Sequence, residues 1–241
     1  MGILVYRDQT SASAAAATLI AAQIIEKPDS VLGLLGGNML EGTYARLCGM
    51  TGSGLLDWSD IHAFHLSEFV GLRSDQNRSL GGFLSHYLYE KVNIHKSNIH
   101  VPDNCASDLS AACTAFEEQL LSAGGMDMAL LYVGRNGHVA FNEPAAEFAP
   151  LTHVAPLTQS SLEENLSYFS DRPNTTPRVL TMGISTLLSA RKLVVLALGS
   201  GVSNVAAQMI NGPITPCVPA SVLQLHQNVI YVLDEAAAVR L

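Results

Sequence analysis

Charged side chains are scarce in this chain of 241 residues: they make up 14% of it, and most are acidic. Thirteen Lys and Arg stand against 21 Asp and Glu, which gives a formal net charge of −8. A shortage of cations disfavours sequence-independent binding of nucleic acid, because that binding depends on neutralising phosphates. A helix N-terminus can still hold a phosphate without net positive charge. We therefore expect no nucleic-acid partner, whereas a small anionic ligand stays compatible with the composition.

Cysteines are also few, and none of the four belongs to a C-x-x-C pair. Their spacing predicts neither a disulfide framework nor a zinc site, which favours a reducing, intracellular compartment. The pairs His62/His65 and His95/His100 lack a third ligand at metal-like spacing, so we expect no metal. The four cysteines are Cys48, Cys105, Cys113 and Cys217.

Long apolar runs are missing as well. Gly, Ser or a charged residue interrupts each apolar stretch well before the roughly 20 residues that a membrane span needs. The first residues, MGILVYRDQ, become charged too early for a signal peptide. The sequence thus predicts a cytoplasmic protein without a membrane partner.

Hydrophobic residues nonetheless make up 48% of the chain, enough to build a substantial core. We find no repeat, no low-complexity linker and no break in composition, so a single domain over residues 1–241 is the simplest expectation. The stretch 150–177 has the weakest periodicity and is expected to form an irregular, lid-like segment.

Apolar runs alternate with helical patterns along the chain, which predicts a mainly parallel sheet with helices on both faces. The first helix begins with a Ser-capped turn. Helices are predicted at residues 11–27, 40–48, 81–91, 108–122 and 203–210. Strands are predicted at residues 31–35, 61–66, 126–133, 179–184, 193–198 and 229–233.

Ligands of open α/β sheets bind at the carboxyl ends of the strands, so the loops that follow predicted strands are the candidate ligand-binding loops. These loops are 36–38, 67–69, 135–144 and 199–201. The third holds His138 and Glu143, five residues apart in a Gly-bounded segment. Such a His can move protons near neutral pH when a carboxylate orients it. On residue types alone, a purely structural role, in which both side chains satisfy loop backbone groups, is the favoured interpretation.

Four segments together resemble one known family. They are L-G-L at 32–34, F-H-L-S-E-F-V-G-L at 64–72, G-R-N-G-H-V-A-F-N-E-P at 134–144 and V-P-A-S-V-L-Q-L-H at 218–226. Their order and spacing are similar to those of the glucosamine-6-phosphate deaminase and galactosamine-6-phosphate isomerase family. The resemblance runs from about residue 31 to residue 234, nearly the whole chain.

The resemblance implies a cytoplasmic enzyme with a Rossmann-like α/β fold that acts on an amino-sugar 6-phosphate without metal or organic cofactor. Such an enzyme opens the sugar ring and moves a proton between C2 and C1, and the deaminases release ammonia. By the same resemblance His138 assists ring opening and Glu143 supports it. It also makes a homo-oligomer plausible.

The chain departs from the family pattern where the C2 base is expected. The resemblance implies an Asp there, but the sequence has Ser67. A lone Ser cannot accept a proton at pH 7, and loss of a general base costs about 10² to 10⁴ in rate. Glu68 could replace the base only if the loop turned, because neighbours in a strand point to opposite sides. His65, on the same side as Ser67, is the other candidate.

A second departure lies beside His138. Asn136 occupies a position where the deaminases carry Asp, although isomerase-type members also look like K-N-G-H here. The change removes a negative charge near His138, so the imidazolium is less favoured. The following Gly137 belongs to the same expected substrate-binding turn.

The expected phosphate site is also altered. Gly36, Gly37 and Asn38 fall in the turn after the first predicted strand, where the resemblance implies a hydroxyl-rich P-T-G-G-T-P type of turn. Val202 stands where the deaminases have a Lys, and roughly Ser167 where they have an Arg. Arg172 lies nearby and could compensate. Losing two phosphate-gripping cations would weaken affinity by about 10² to 10⁴.

Two hypotheses follow. In the first, the chain isomerises, and in some cases deaminates, a hexosamine 6-phosphate, with His138 and Glu143 handling the ring-oxygen proton. In the second, it is a catalytically silent protein that binds a phosphosugar or has a regulatory role. The intact G-H-V-A-F-N-E-P run supports the first hypothesis, whereas the changes around one pocket support the second.

Overall fold

The computed structural model describes residues 1–73, 79–169 and 177–241. These residues form the following elements. The strands are β1 (Gly2–Tyr6), β2 (Val31–Leu34), β3 (His62–His65), β4 (Ser67–Phe69), β5 (Ile99–His100), β6 (Met128–Tyr132), β7 (His153–Pro156), β8 (Arg178–Thr181), β9 (Leu193–Ala197) and β10 (Val229–Asp234). The α-helices are α1 (Gln9–Glu26), α2 (Glu41–Gly52), α3 (Leu80–Tyr87), α4 (Leu109–Ser122), α5 (Gln159–Glu164), α6 (Leu166–Phe169), α7 (Ile184–Leu188), α8 (Ser203–Asn211) and α9 (Glu235–Ala238).

A seven-stranded sheet organises the chain, in the order β1-β10-β9-β6-β2-β3-β5. All of its strand pairs are parallel. Every residue of β2, β6 and β9 is buried. Because successive side chains of a strand point to opposite faces, burial of every residue means that both faces of these central strands are covered. The predicted α/β class is therefore confirmed.

Helix α1 shows how the local sequence sets an element's start. The helix begins at Gln9, and the carboxylate of Asp8 accepts a hydrogen bond of 2.8 Å from the Ser11 N–H. The predicted Ser cap is wrong, because Asp8 provides the acceptor one turn earlier. Small residues such as Ala12 and Ala16 are fully buried on its inner face, which lets the helix lie close to the sheet.

The region after residue 150 departs most from the sequence prediction. A strand was expected at residues 179–184, in the parallel sheet. Instead β8 covers Arg178–Thr181 and pairs antiparallel with β4 and β7 in a separate three-stranded sheet, while Ile184 begins α7. The stretch 150–177 also contains β7, α5 and α6, so the expectation of an irregular segment is wrong for its described residues. No helix in the described part of the chain is long and apolar enough to cross a bilayer.

A buried carboxylate ties the amino ends of the central strands together. Asp127, 4% exposed, accepts hydrogen bonds of 2.6 Å from Lys27 Nζ and Arg191 Nη1 and of 2.8 Å from the Val31 N–H. Burial by itself raises the pKa of Asp127. The Lys27 and Val31 hydrogen bonds and the two cationic charges outweigh burial, so the pKa lies below its usual value.

We expect Asp127→Ala to lower the free energy of unfolding by about 2–4 kcal/mol, because it leaves the buried Val31 N–H without its acceptor and removes two ion pairs. Since the pKa is lowered in the folded state, the stabilisation is present above the unfolded pKa of about 3.9 and is lost as pH falls below it. Denaturant unfolding at pH 7 and at acidic pH measures both effects. Asp29→Ala is the matched control: Asp29 is 3.9 Å from Lys27 but exposed. Equal losses in the two variants would contradict the prediction.

Candidate active site

Three turns meet at the carboxyl ends of β2, β6 and β9. In the first, a Cβ on Gly36 would lie 2.6 Å from the Leu80 carbonyl oxygen, so only glycine lets this turn pack against the start of α3. A Cβ on Gly37 would lie 3.1 Å from the ring of Tyr132. Asn38 then begins a short 3₁₀ turn that leads into α2. The first turn is therefore in contact with the end of β6.

The turn after β6 carries His138 in a fixed orientation. Gly137 has φ +89°, which favours glycine. A Cβ on Gly134 would overlap the His138 ring, so the ring packs directly on the backbone there. The ring also stacks on Phe141, with centroids 5.2 Å apart and 12° between planes. Ala140 and Phe141 both have positive φ, an uncommon conformation that the surrounding contacts must hold in place.

Asn136 connects His138 to Glu143. Its Nδ2 donates 2.7 Å to Glu143 Oε2 and 3.0 Å to Thr158 Oγ1. A carboxylate oxygen only accepts, so this contact identifies the amide nitrogen, and Asn136 Oδ1 must face His138. That oxygen lies 2.9 Å from His138 Nδ1, and Ser161 Oγ lies 3.1 Å from the same nitrogen. Because Asn136 Oδ1 can only accept, Nδ1 carries the proton and Nε2 is the basic nitrogen.

Burial and nearby charge act on the pKa of His138 in opposite directions, and burial has the larger effect, so the pKa is lowered. Burial lowers its pKa, whereas the carboxylates of Glu143 and Glu164 raise it. Glu143 Oε2 lies 3.9 Å from Nδ1. His138 Nε2 has no hydrogen-bond partner among the described residues. The ring is therefore a neutral proton acceptor at pH 7, with two carboxylates available to stabilise its cation.

The hydroxyl groups of Ser67 and Thr181 contact the backbone of the loop that carries His138. Ser67 Oγ donates 3.0 Å to the Ala140 carbonyl oxygen and lies 2.8 Å from Thr181 Oγ1, which also contacts that carbonyl. Ser67 is 1% exposed and lies in β4, although the sequence predicted a loop there. Its hydroxyl is thus engaged in positioning the backbone of the His138 loop.

The side chain of Glu68 contacts the start of α3 and not the His138 loop. Its carboxylate accepts N–H bonds from Phe69, Leu80 and Gly81, at 2.8, 3.0 and 2.7 Å, and so caps the N-terminus of α3. Burial raises the pKa of Glu68 to about 7 against the opposing effect of these hydrogen bonds. His65, the other candidate base, is buried, and its ring stacks on Tyr89.

A pocket of about 440 Å³ lies where the three turns meet; we call it the strand-end pocket. Its walls are residues 37–39, 132–133, 135 and 198–202, with Gln9 and with Glu164, Asn165 and Tyr168 from the α5–α6 region. Among the described residues that line it, Arg135 is the one cation and Glu164 the one carboxylate. Arg135 Nε lies 3.8 Å from Glu164 Oε1, and the Arg135 N–H donates 3.3 Å to the same oxygen.

Only some of the residues predicted from the sequence line this pocket. Gly37 and Asn38 do, whereas Ser67, Glu68, Asn136 and His138 do not. Glu143 lines a separate cavity of about 200 Å³. Arg172 lies outside the described residues. Gly36 and Gly137 shape the neighbouring turns without lining the pocket.

Three pocket residues were missed by the sequence analysis. Tyr132 is the last residue of β6, and its ring lies edge-on to His138 with centroids 6.2 Å apart. Arg135 Nε is 3.5 Å from where a Cβ on Gly201 would be, so the guanidinium lies over the turn after β9. Arg135 therefore brings a cation close to Val202, the position where the family resemblance implies a Lys. Glu164 belongs to the region expected to be irregular, which carried no signal.

The architecture defines an α/β protein with a small-molecule pocket at the carboxyl ends of its parallel strands. The family model described as glucosamine-6-phosphate isomerases/6-phosphogluconolactonase matches residues 7–232, and the chain belongs to this family. The chain is 39% identical to a glucosamine-6-phosphate deaminase of Clostridioides difficile (strain 630), over 100% of this chain and 97% of that protein. It is 38% identical to one from Shewanella loihica, covering 100% and 90%.

Solved structures agree with this assignment. A monomeric glucosamine-6-phosphate deaminase superposes with a TM-score of 0.95 and 34% identity, covering 100% of both chains. A 6-phosphogluconolactonase from Trypanosoma brucei superposes with a TM-score of 0.74 at 20% identity, covering 100% and 98%, which shows a shared fold. The family resemblance inferred from the sequence motifs is confirmed.

We expect Glu143→Gln to lower the pKa of His138 further, because it removes the larger of the two carboxylate charges that oppose burial. Titration of the His138 ring signals by NMR measures the shift. Glu147→Gln is the control, since Glu147 is exposed on the same loop. A rise in the pKa of His138, or equal shifts in the two variants, would show that Glu143 does not act on the imidazole.

Proposed function

We propose that the chain acts in amino-sugar phosphate metabolism, as an isomerase and deaminase of a hexosamine 6-phosphate. The observation that carries this proposal is the strand-end pocket, which pairs one cation with one carboxylate next to the His138 loop. Its deaminase relatives cover the full chain at up to 39% identity in the comparisons above. Glucosamine 6-phosphate and galactosamine 6-phosphate are the two substrates to compare.

Arg135 is proposed to receive the phosphate. Its side chain is 71% exposed, and its guanidinium lies over the turn after β9, where the 3₁₀ turn Ser200–Val202 leads into α8. Guanidinium groups bind phosphate through charge-assisted hydrogen bonds, often in pairs. A phosphate at this turn would also draw Arg135 away from Glu164 and leave that carboxylate free to react.

Glu164 is proposed to be the base that removes the C2 proton. The carboxylate takes up a proton from C2 and donates one to C1, so the isomerisation has no net proton change, and the carried proton exchanges with solvent before it is donated. The proton transfer leaves an imine at C2, and water hydrolyses that imine to the C2 ketone and ammonia, which is the hydrolytic part of the deaminase reaction. Because α5 also places Ser161 on His138 Nδ1, one helix positions both groups. His138 and Glu143 are proposed to handle the ring-oxygen proton, with Asn136 fixing the imidazole.

A second candidate function is binding of the same sugar phosphate without turnover. It is favoured by the engaged hydroxyl of Ser67 and by Tyr132, which lines the pocket while His138 does not. On this alternative the pocket keeps its phosphate affinity, and C2 chemistry is absent.

Three broader expectations accompany the proposal. We propose that residues 1–241 form a single domain and that the protein works in the cytoplasm. Self-association stays a prediction, and the solved relative described as a monomeric deaminase is an example of this fold working as a single chain.

We expect Glu164→Gln to lower the rate of ammonia and ketose-phosphate formation by about 10² to 10⁴, the usual effect of removing a general base. Glu163→Gln is the matched control, because Glu163 lies outside the pocket and accepts a hydrogen bond from Gln159. Full activity in Glu164→Gln would rule out Glu164 as the base. Tight binding without turnover in the unaltered protein would favour the second candidate function.

We expect Arg135→Gln to weaken binding of glucosamine 6-phosphate by about 10- to 100-fold, the loss of one or two charge-assisted hydrogen bonds. Binding of glucosamine, which has no phosphate, should change little. Titration calorimetry with both ligands separates these effects, and Arg46→Gln on the exposed side of α2 is the control. Unchanged affinity for the phosphorylated sugar would place the phosphate elsewhere.

A further inference from the structure

Tyr132 is a buried wall residue of the strand-end pocket, and its hydroxyl is open to that pocket. The residue is 7% exposed, and its ring lies edge-on to His138. The hydroxyl makes no hydrogen bond to any described residue, and it is not one of the fully enclosed polar atoms. A ligand in the pocket can therefore reach it. An unpaired polar group at a largely buried position is costly, and a ligand atom that pairs with it recovers that free energy.

The Tyr132 hydroxyl and the Arg135 guanidinium lie towards different turns of the pocket. A Cβ on Gly37, in the turn after β2, would lie 3.3 Å from the hydroxyl oxygen, whereas the guanidinium lies over the turn after β9. Strand β6 lies between β2 and β9 in the sheet, so the two groups point to opposite sides of β6. With its phosphate on Arg135, a hexosamine 6-phosphate in this pocket has its C1 end directed towards Tyr132.

The phenol of Tyr132 is uncharged at pH 7. Burial raises its pKa, and the carboxylate of Glu164 raises it further. A neutral phenol donates one hydrogen bond, and in a pocket that limits water such a donor can stabilise an oxygen that becomes negative during a reaction. Tyr132 thus offers a donor in the pocket that also holds the proposed base, Glu164.

The other neutral side-chain donors of the pocket are less suited to this role. Water competes for those that are exposed, and Asn165 already donates its amide to a backbone carbonyl of α5. Burial raises the pKa of Tyr168 to about 12, and the carboxylate that adds to this effect is Glu68, outside the pocket. The exposed donors among the lining residues are Gln9, Asn38 and Ser200.

Removal of the C2 proton creates negative charge on the oxygen at C1. In the open-chain sugar, the electrons of the C2–H bond form a C1–C2 double bond, and the carbonyl electrons move to the C1 oxygen. We propose that Tyr132 is a further catalytic residue, whose hydroxyl donates a hydrogen bond to the C1 oxygen in this step; the inference rests on the proposed function. Tyr132 keeps its own proton. The C1 oxygen takes one from solvent, and the nitrogen releases one as the C2 imine forms, so the protons balance.

The test compares Tyr132→Phe with the unaltered full chain in turnover of glucosamine 6-phosphate and of galactosamine 6-phosphate. We expect kcat to fall about 100-fold, the usual effect of removing one oxyanion donor. The Kd of the sugar phosphate, measured by titration calorimetry, should rise less than about fivefold, because only one neutral hydrogen bond is lost. A residue that only packs would not separate kcat from affinity in this way, since phenylalanine keeps the ring.

A second measurement uses binding alone. The hydroxamate of arabinonic acid 5-phosphate has an anionic oxygen where the deprotonated sugar has its charged C1 oxygen. Its Kd should rise about 100-fold in Tyr132→Phe, in parallel with the fall in kcat, because the lost hydrogen bond is made to a charged oxygen.

Tyr231→Phe is the matched control. Tyr231 is a buried tyrosine of β10 whose hydroxyl also has no partner among the described residues, but it lies outside the strand-end pocket. This variant should turn over both sugars as the unaltered protein does.

Turnover by the unaltered protein that persists at full kcat in Tyr132→Phe would overturn this inference alone. Equal losses of kcat and of sugar-phosphate affinity, or a loss of kcat that appears in Tyr168→Phe instead, would overturn it as well. If the unaltered protein turns over neither sugar, the proposed function fails, and the inference fails with it.

Discussion

Parallel pairing of β2, β6 and β9 is the constraint on which the candidate site depends. The carboxyl ends of adjacent parallel strands meet at one edge of a sheet, so turns far apart in the sequence converge there. The turns after these strands begin near residues 36, 133 and 198, and all three line the strand-end pocket. At the opposite edge, the bonds of Asp127 hold the amino ends of the same strands together. The pairing of these core strands thus determines where the pocket lies.

The two charged residues of this pocket, Arg135 and Glu164, are not at the positions where the sequence resemblance implies charges. The sequence lacks an acidic residue at Ser67 and a cation at Val202, but Glu164 and Arg135 bring both charges into the pocket from other positions. Ser67 has a hydroxyl that holds Ala140, and Glu68 caps α3. Ser67 and Glu68 therefore have structural roles, and the proposed chemistry rests on residues of α5 and the turn after β6. Tyr132 lines this pocket, whereas the neighbouring His138 does not; the two rings are edge-on, with centroids 6.2 Å apart.

The sequence predicted best where a local pattern decides the structure. Fully buried strands such as β6 and β9 appear as continuous apolar runs, and the motif around His138 identified the family. Strands β4 and β8 were misjudged, because Ser67–Phe69 forms a strand only by pairing with Arg178–Thr181, more than a hundred residues away. Glu164 had no sequence signal, since its role depends on where α5 packs. The orientation of Asn136 likewise follows from Glu143 and Thr158, which no spacing rule reveals.

Proton exchange at C2 shows whether the strand-end pocket performs proton transfer on a hexosamine 6-phosphate. The unaltered protein is incubated in D₂O with glucosamine 6-phosphate and, separately, galactosamine 6-phosphate, and deuterium at C2 is followed by NMR. We expect incorporation at C2 with at least one sugar, and its disappearance in Glu164→Gln, which lacks the proposed base. Broadened ligand signals without any deuterium incorporation would contradict it and leave a sugar-phosphate-binding protein with the same fold.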